Sequence, residues 1–550
     1  MFISGVEKRM ENKTGNQLEK RLFYYIIMTM LILLVVFSVL TNVDRIRDYL
    51  LGDSRDEIGR FIRAGVTVEQ AWKNIENNIV NTEDADVYIW GNDSGSSVIA
   101  KTQLINMRTP YCEIEDLKDL KTDNDLIVCK KEYTAEELEQ LEQFVLGGGN
   151  IFFAGIPQDA MLKDARVQDL LGIRVYEGVE KRDGIRLSAR MMFGEIREYK
   201  EKINVPVFKL KQQTEVYAAA LENDSTKEVE ELSPLLWRYH QNAQAGEVFV
   251  GEDTLFTSKM GNSSICLFME EVKEVYMYPV VNAYCFFVAG APYVDNFSSE
   301  YLQTKYSRDA QGVQNDIFMT ELRQCESRYQ LIGTWYSPQK NEAETSEDAY
   351  IKYYVQGIKE RGSVLGERNV SANTMMVESI FANNLVEWKP DFYYTDGDKI
   401  YLSYTELEED NFEKTILNDY SSIRSMGYNS MYVDVSYFLK EEYQRDWLDM
   451  SMNMETILKN EQEKIHWIER VSAETAIKRI YSFVSMQPHI EYKEDYIDLN
   501  IDNFSGEAFF HLYTYKEVVE VENATMQKIG ENLYFLDVTD KNVKVYFDQE

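Results

Sequence analysis

The sequence predicts an α/β protein assembled in series: a single N-terminal transmembrane helix, an open parallel sheet, a distorted (β/α) barrel and a small C-terminal β-rich domain. Three observations carry that expectation. Residues 22–40 hold no charged side chain; strand-like apolar runs alternate with helix-period segments from about residue 84 to about residue 480; and from residue 481 the helical pattern gives way to short alternating runs.

Composition narrows the function classes. With 44% hydrophobic and 27% charged residues over 550 positions, the chain can bury several cores and is not a disordered sequence. Its net charge of −35 would repel phosphates, which excludes nucleic acid as a partner and is compatible with cationic partners or with plain solubility. Five cysteines, Cys112, Cys129, Cys266, Cys285 and Cys325, have an odd count and no CxxC spacing. Neither a zinc site nor a full disulfide framework is indicated, and their apolar surroundings predict buried thiols.

Residues 1–21 read as a cytoplasmic tail carrying Lys8, Arg9, Lys13, Lys20 and Arg21. The stretch 22–40 is long enough, at about 1.5 Å per residue, to cross a hydrocarbon core of about 30 Å, and its exit lacks the small-residue pattern of a cleavable signal. Although Arg45, Arg47, Arg55 and Arg60 follow it, the positives abutting its N-terminal end predict that end inside, with the remaining domains extracytoplasmic and the chain a single-pass protein of the cell membrane. Residues 41–83 keep a helical period and form the expected stalk.

Residues 84–280 read as the open sheet. DADVYIWG and NDLIVCK are short apolar strands; Thr134 with Glu137 three residues later has capping-box spacing; the helix that follows ends on Gly147-Gly148-Gly149 and hands over to the strand NIFFAG. The triple glycine closes a helix instead of opening one and has no Lys-Ser/Thr after it, so it reads as a C-cap and not as a phosphate loop. This Asp-led strand, T-x-E-E-L helix, Gly-rich turn and strand resembles the class-I glutamine-amidotransferase fold. The resemblance implies a nucleophilic cysteine after such a strand, but NIFFAG offers Phe153 and Ala154, and Cys129 ends the preceding strand, where it would pack.

Residues 281–480 carry the barrel pattern. VVNAYCFFVAGAPYVDNFSSE delivers Asp295 and Asn296 at the end of a buried strand, where barrel sites are built. The strands LIGTWYS, SVLGERN, KIYLSYTEL and YNSMYVDVS follow with helices between them. Residues 481–550 (IEYKEDYIDLNIDN, EAFFHLYTYKEV, NLYFLDV, NVKVYFDQ) predict a β-sandwich-like appendage.

Through APYVDNFSSE, GTWYS, MYVDVSYF and HWIERVSAETAIKRI, the chain resembles an uncharacterised bacterial family with a polysaccharide-deacetylase-like domain, associated with Pel-type exopolysaccharide systems. The resemblance implies a membrane-anchored accessory protein of exopolysaccharide biosynthesis, modification or export. Its partners would be a polysaccharide, cationic where amino sugars are exposed, and the synthase or transport proteins. Deacetylases of that superfamily hold a divalent metal with an Asp-Asp pair and a His-x-x-x-His motif. Here Asp295 matches the base position, but Asn296 stands where the metal-binding Asp belongs, and His240, His466, His489 and His511 have no such spacing. The expectation is therefore an inactive barrel without metal or cofactor that binds polysaccharide or a partner. The alternative is an active carboxylate-dependent hydrolase or deacetylase, with Asp295 as the catalytic residue and Glu367, Glu406 or Asp434 beside it in the pocket.

Overall fold

The strands Val87–Trp90, Asp125–Val128 and Ile151–Ala154 are buried along their whole length, as parallel strands are when both faces of the sheet are covered. The computed structural model describes residues 68–548 except 83–84, 92–94, 192, 194–196, 223–228, 292–298, 338–348, 370–373, 379–384, 387, 390–392, 397–398, 404, 407–411 and 444. Residues from Val66 to Glu550 pack as one unit. Val87–Trp90 lies between Tyr111–Ile114 and Asp125–Val128, parallel to both, and Ile151–Ala154 and Glu247–Gly251 continue the parallel order. The sheet then turns antiparallel through Ser233–His240, Thr214–Leu221, Gly184–Leu187 and Arg197–Tyr199 to reach nine strands.

The Thr134 capping box forms: the Glu137 N–H donates to Thr134 Oγ1 at 3.2 Å and the Thr134 N–H to Glu137 Oε2 at 2.7 Å, opening the helix Ala135–Leu146. Its exit explains the glycine run. Gly148 sits at φ +98°, and a Cβ on Gly149 would lie 2.4 Å from the Phe144 ring, so the chain turns under the helix only without side chains.

The second sheet corrects the expected distorted (β/α) barrel to a half-barrel. Val364–Asn369, Gly333–Ser337, Ala283–Ala289, Tyr428–Asp434 and Thr405–Glu406 run parallel in that order. Beyond Val364–Asn369 the next strand, Thr374–Glu378, is antiparallel, and the opposite flank ends on the two-residue Thr405–Glu406. Closure needs a full set of helical crossovers, whereas Tyr393–Asp396 and Lys399–Ser403 pair antiparallel in a separate small sheet. The sustained β/α alternation read from the sequence breaks there.

The membrane element of the predicted fold class is also corrected. Among the described residues no helix is long and apolar enough to cross a membrane. The segment 22–40, on which the single span and the extracytoplasmic placement of the rest were built, lies outside the described residues. Single-pass localisation in the cell membrane thus has no support from the described residues.

The last stretch forms two four-stranded antiparallel sheets, Gln487–Tyr492, Tyr496–Asp502, Asn542–Phe547 and Val518–Glu522 in one, and Val275–Val280, Ala508–Thr514, Leu533–Val538 and Ala524–Lys528 in the other. The second borrows Val275–Val280 from before the half-barrel, because that strand pairs with Ala508–Thr514 along its whole length. A buried ion pair seals this junction. Arg424, from the helix Phe412–Met426, binds both carboxylate oxygens of Glu270, from the helix Met260–Val272, and donates to the Tyr278 hydroxyl at 2.9 Å. Tyr278 in turn donates to Glu270 at 2.8 Å and lies 3.3 Å from His511 Nδ1. All four groups are buried, so the pair persists only because its hydrogen bonds are made.

Candidate functional site at the carboxyl edge of the half-barrel

The parallel strands of the half-barrel deliver their last residues to one edge, where ligands bind in open α/β sheets. Ala289, Tyr336, Gly366 and Asp434 share one register row there. Asp434 is the best-defined group of the row. It is buried, it caps the short turn Val435–Leu439, and its Oδ1 accepts from the Ser436 N–H at 2.9 Å and from Ser436 Oγ at 2.6 Å. Its Oδ2 accepts from the Tyr432 hydroxyl at 3.0 Å. Gly290, at φ +76°, fits against this turn because a Cβ there would stand 2.9 Å from both Asp434 Oδ1 and the Ser436 nitrogen.

Behind Gly290 stands Gln314, fully buried, whose amide donates to the Gly290 carbonyl at 2.8 Å. It opens a π-helical turn, Gln314–Phe318, between Ala310–Val313 and Met319–Tyr329. Phe318 then packs on Phe438 and Trp447 at centroid distances of 6.0 and 4.5 Å. This aromatic wall supports the turn after Asp434. On the outer side of that turn Tyr437 and Tyr443 meet edge to face at 4.9 Å, the Arg445 guanidinium lies 4.6 Å from the Tyr437 ring centre, and Tyr443 is 43% exposed. The Arg445 carbonyl accepts from Lys305 at 2.8 Å, which ties the shelf to the helix Ser299–Tyr306.

Asp295 and Asn296 lie outside the described residues; the strand that leads to them, Ala283–Ala289, ends at this edge. Glu367 pairs with Ser337, one row beyond Asp434, and Glu406 pairs with Tyr432, two rows before it. With strands about 4.8 Å apart, the backbones at Glu367 and Asp434 are separated by three strand gaps, about 14 Å. The sheet therefore brings Glu406 and Asp434 onto neighbouring strands and keeps Glu367 away from both. Sequence reasoning missed Gln314, Tyr437 and Tyr443. The signal for the shelf was there, in a Tyr and a Lys-Glu-Glu-Tyr run directly after an Asp-x-Ser turn.

Histidines and thiols lie elsewhere. His240 faces Glu247, His489 faces Asp502, His466 meets Gln527 and His511 is in the core junction. Among the described residues no group of three or more His, Cys, Asp or Glu side chains is placed to hold a metal ion. Cys129 is buried, and burial pushes its thiol up to about 12, so it packs and does not attack.

No family model matches the sequence, and no curated protein matches it. Among solved structures the chain is similar to Agd3, described as a novel carbohydrate deacetylase, at 8% identity and a TM-score of 0.46, with 86% of this chain and 99% of the other covered. It is also similar to the exo-beta-1,4-mannosidase Op5Man5 from Opitutaceae bacterium strain TAV5, at 13% identity and a TM-score of 0.23, over 34% of this chain and 33% of that one. Likenesses this distant assign no family and no residue role.

Proposed function

We propose that the chain is a carbohydrate-binding protein that holds a polysaccharide across the carboxyl edge of the half-barrel and does not cleave it, in the setting of exopolysaccharide synthesis, modification or export. The observation that carries this reading is the state of Asp434. Its two oxygens accept three hydrogen bonds from its own turn and strand, so it shapes the edge and is engaged as a cap instead of standing ready as a base or nucleophile. A deacetylase needs a carboxylate or imidazole set around a metal water, and a glycosidase needs two carboxyl groups about 5–10 Å apart and free to work. Binding needs less. The Tyr437–Tyr443 shelf beside the turn offers an exposed ring face of the kind that stacks on a pyranose.

Calorimetric titration with β-linked N-acetylhexosamine oligomers and their deacetylated forms tests the reading, with released acetate and new reducing ends measured in parallel. Saturable binding without either product is the expected result. Tyr443→Ala should weaken that binding about 5- to 10-fold, the loss of one stacking contact, with an unchanged melting temperature. Release of acetate or of reducing ends at enzymatic rates would replace binding with catalysis.

A further inference from the structure

The helical stretch behind the edge breaks its own period. From Phe318 onward the buried side chains recur every three or four residues, at Leu322, Cys325 and Tyr329, as on one face of an α-helix. From Val313 to Phe318, and from Gln314 to Met319, the step is five, and all four side chains are closed to solvent. No continuous α-helix holds those four on one face. The π-helical turn Gln314–Phe318 absorbs the extra residue: the Met319 N–H donates to the Gln314 carbonyl five positions back, and Thr320 Oγ1 donates to the Asn315 carbonyl at 3.1 Å. Asn315 and Asp316 are left on the outside.

Three of the four inward side chains, Val313, Phe318 and Met319, are apolar and need no account beyond burial. Gln314 is different, because a closed-in amide is costly unless its hydrogen bonds are made. It donates to the Gly290 carbonyl at 2.8 Å, and Gly290 is the seat of the Asp434 turn, since a Cβ there would stand 2.9 Å from Asp434 Oδ1 and from the Ser436 nitrogen. Four residues on, Phe318 reaches the same turn through Phe438, with Trp447 beside it. One turn of helix thus holds residues 434–439 at two points. We propose that Gln314 is a positioning residue for the carbohydrate edge, an assignment that rests on the binding reading above: through Gly290 it fixes the Asp434 turn, and with it Tyr437, in the arrangement that meets the sugar. Without that bond the turn still folds but divides among several arrangements, and the apparent dissociation constant rises by the inverse of the competent fraction.

Gln314→Met keeps the length of the side chain and removes its amide donor. In the ligand-free whole chain, hydrogen exchange over Val435–Leu439 should quicken about 10-fold, and the dissociation constant for a β-linked N-acetylhexosamine oligomer should rise by about the same factor. Ser363→Ala is the control. It removes a buried hydroxyl that accepts from the Gly333 N–H at 3.1 Å and donates to Glu326 at 3.0 Å, at the opposite, amino-terminal end of the strands. It should lower the melting temperature and leave both readings at their wild-type values. Wild-type exchange or wild-type affinity in Gln314→Met, or equal changes in Ser363→Ala, overturns the proposal. Should Gln314→Met not fold, Phe318→Leu, which loosens the second point of contact, must show the same pair of changes, and wild-type values in it overturn the proposal as well. A wild type that binds no oligomer removes the binding reading and the part of Gln314 in it, a failure separate from that of the exchange result.

Discussion

Asp434 shows how a residue chosen for one chemistry can be engaged in another. A carboxylate at the end of a buried strand reads as a ligand or a base, yet Ser436 two positions later turns it into a cap that accepts from its own turn. Removing it should therefore cost stability. Asp434→Ala leaves the Ser436 N–H and the Tyr432 hydroxyl without their acceptor, and chemical denaturation should report a loss of about 1–3 kcal/mol. An unchanged midpoint would mean that the turn is held by something else. Thr134→Ala should cost about 1 kcal/mol in the same measurement, by removing one half of the capping box. At this scale the sequence was legible wherever the partner is close along the chain. Thr134 with Glu137 could be read directly, as could the helix-ending glycines. Gln314 could not, because its partner is the carbonyl of Gly290, twenty-four residues earlier. The Tyr437–Tyr443 shelf could be missed because tyrosines are abundant, and many of them, such as Tyr284, Tyr336 and Tyr428, are core.

Among the elements, the helix Met260–Val272 joins the first sheet to everything after it, and its Glu270 is fixed by Arg424 in a setting from which water is excluded. Breaking one partner strands the other. Arg424→Met should destabilise by about 3–5 kcal/mol, whereas combining it with Glu270→Leu should recover much of that loss; additive costs in the double variant would contradict a coupled pair. The same junction gives a pH dependence. Burial, and then Arg424, hold His511 well below its ordinary 6.5. As pH falls beneath 6.5 the unfolded chain takes up a proton that the folded chain refuses, so this stabilisation is present above 6.5 and is lost on acidification. Stability measured from about pH 7.5 down to about pH 5.5 should fall less steeply in His511→Gln than in the wild type. The strands and helices here were readable from their periods. Their pairing was not, since Val275–Val280 finds its neighbour in Ala508–Thr514, more than two hundred residues on, and no local pattern encodes that register.

For the whole molecule, the open sheet could be read because each of its parallel strands is a continuous apolar run. The barrel was over-read. Period alone does not reveal whether the last strand returns to the first, and the hairpin-like Tyr-Tyr-Thr-Asp-Gly-Asp-Lys run after Glu367 was the sign that it does not. An apolar segment at 22–40 set the expectation of a membrane protein, but nothing in the described fold requires a membrane. What the architecture does supply is an open edge, shaped by Asp434 and Gly290 and carrying the exposed Tyr443 against the half-buried Tyr437, and the binding proposal rests on that edge. Hydrogen exchange with and without a saturating N-acetylhexosamine oligomer tests it most directly. Protection concentrated in residues 435–443 and at the ends of the Ala283–Ala289 and Gly333–Ser337 strands is the result the account predicts; protection confined to the sheets of residues 487–547, or none at all, would contradict it.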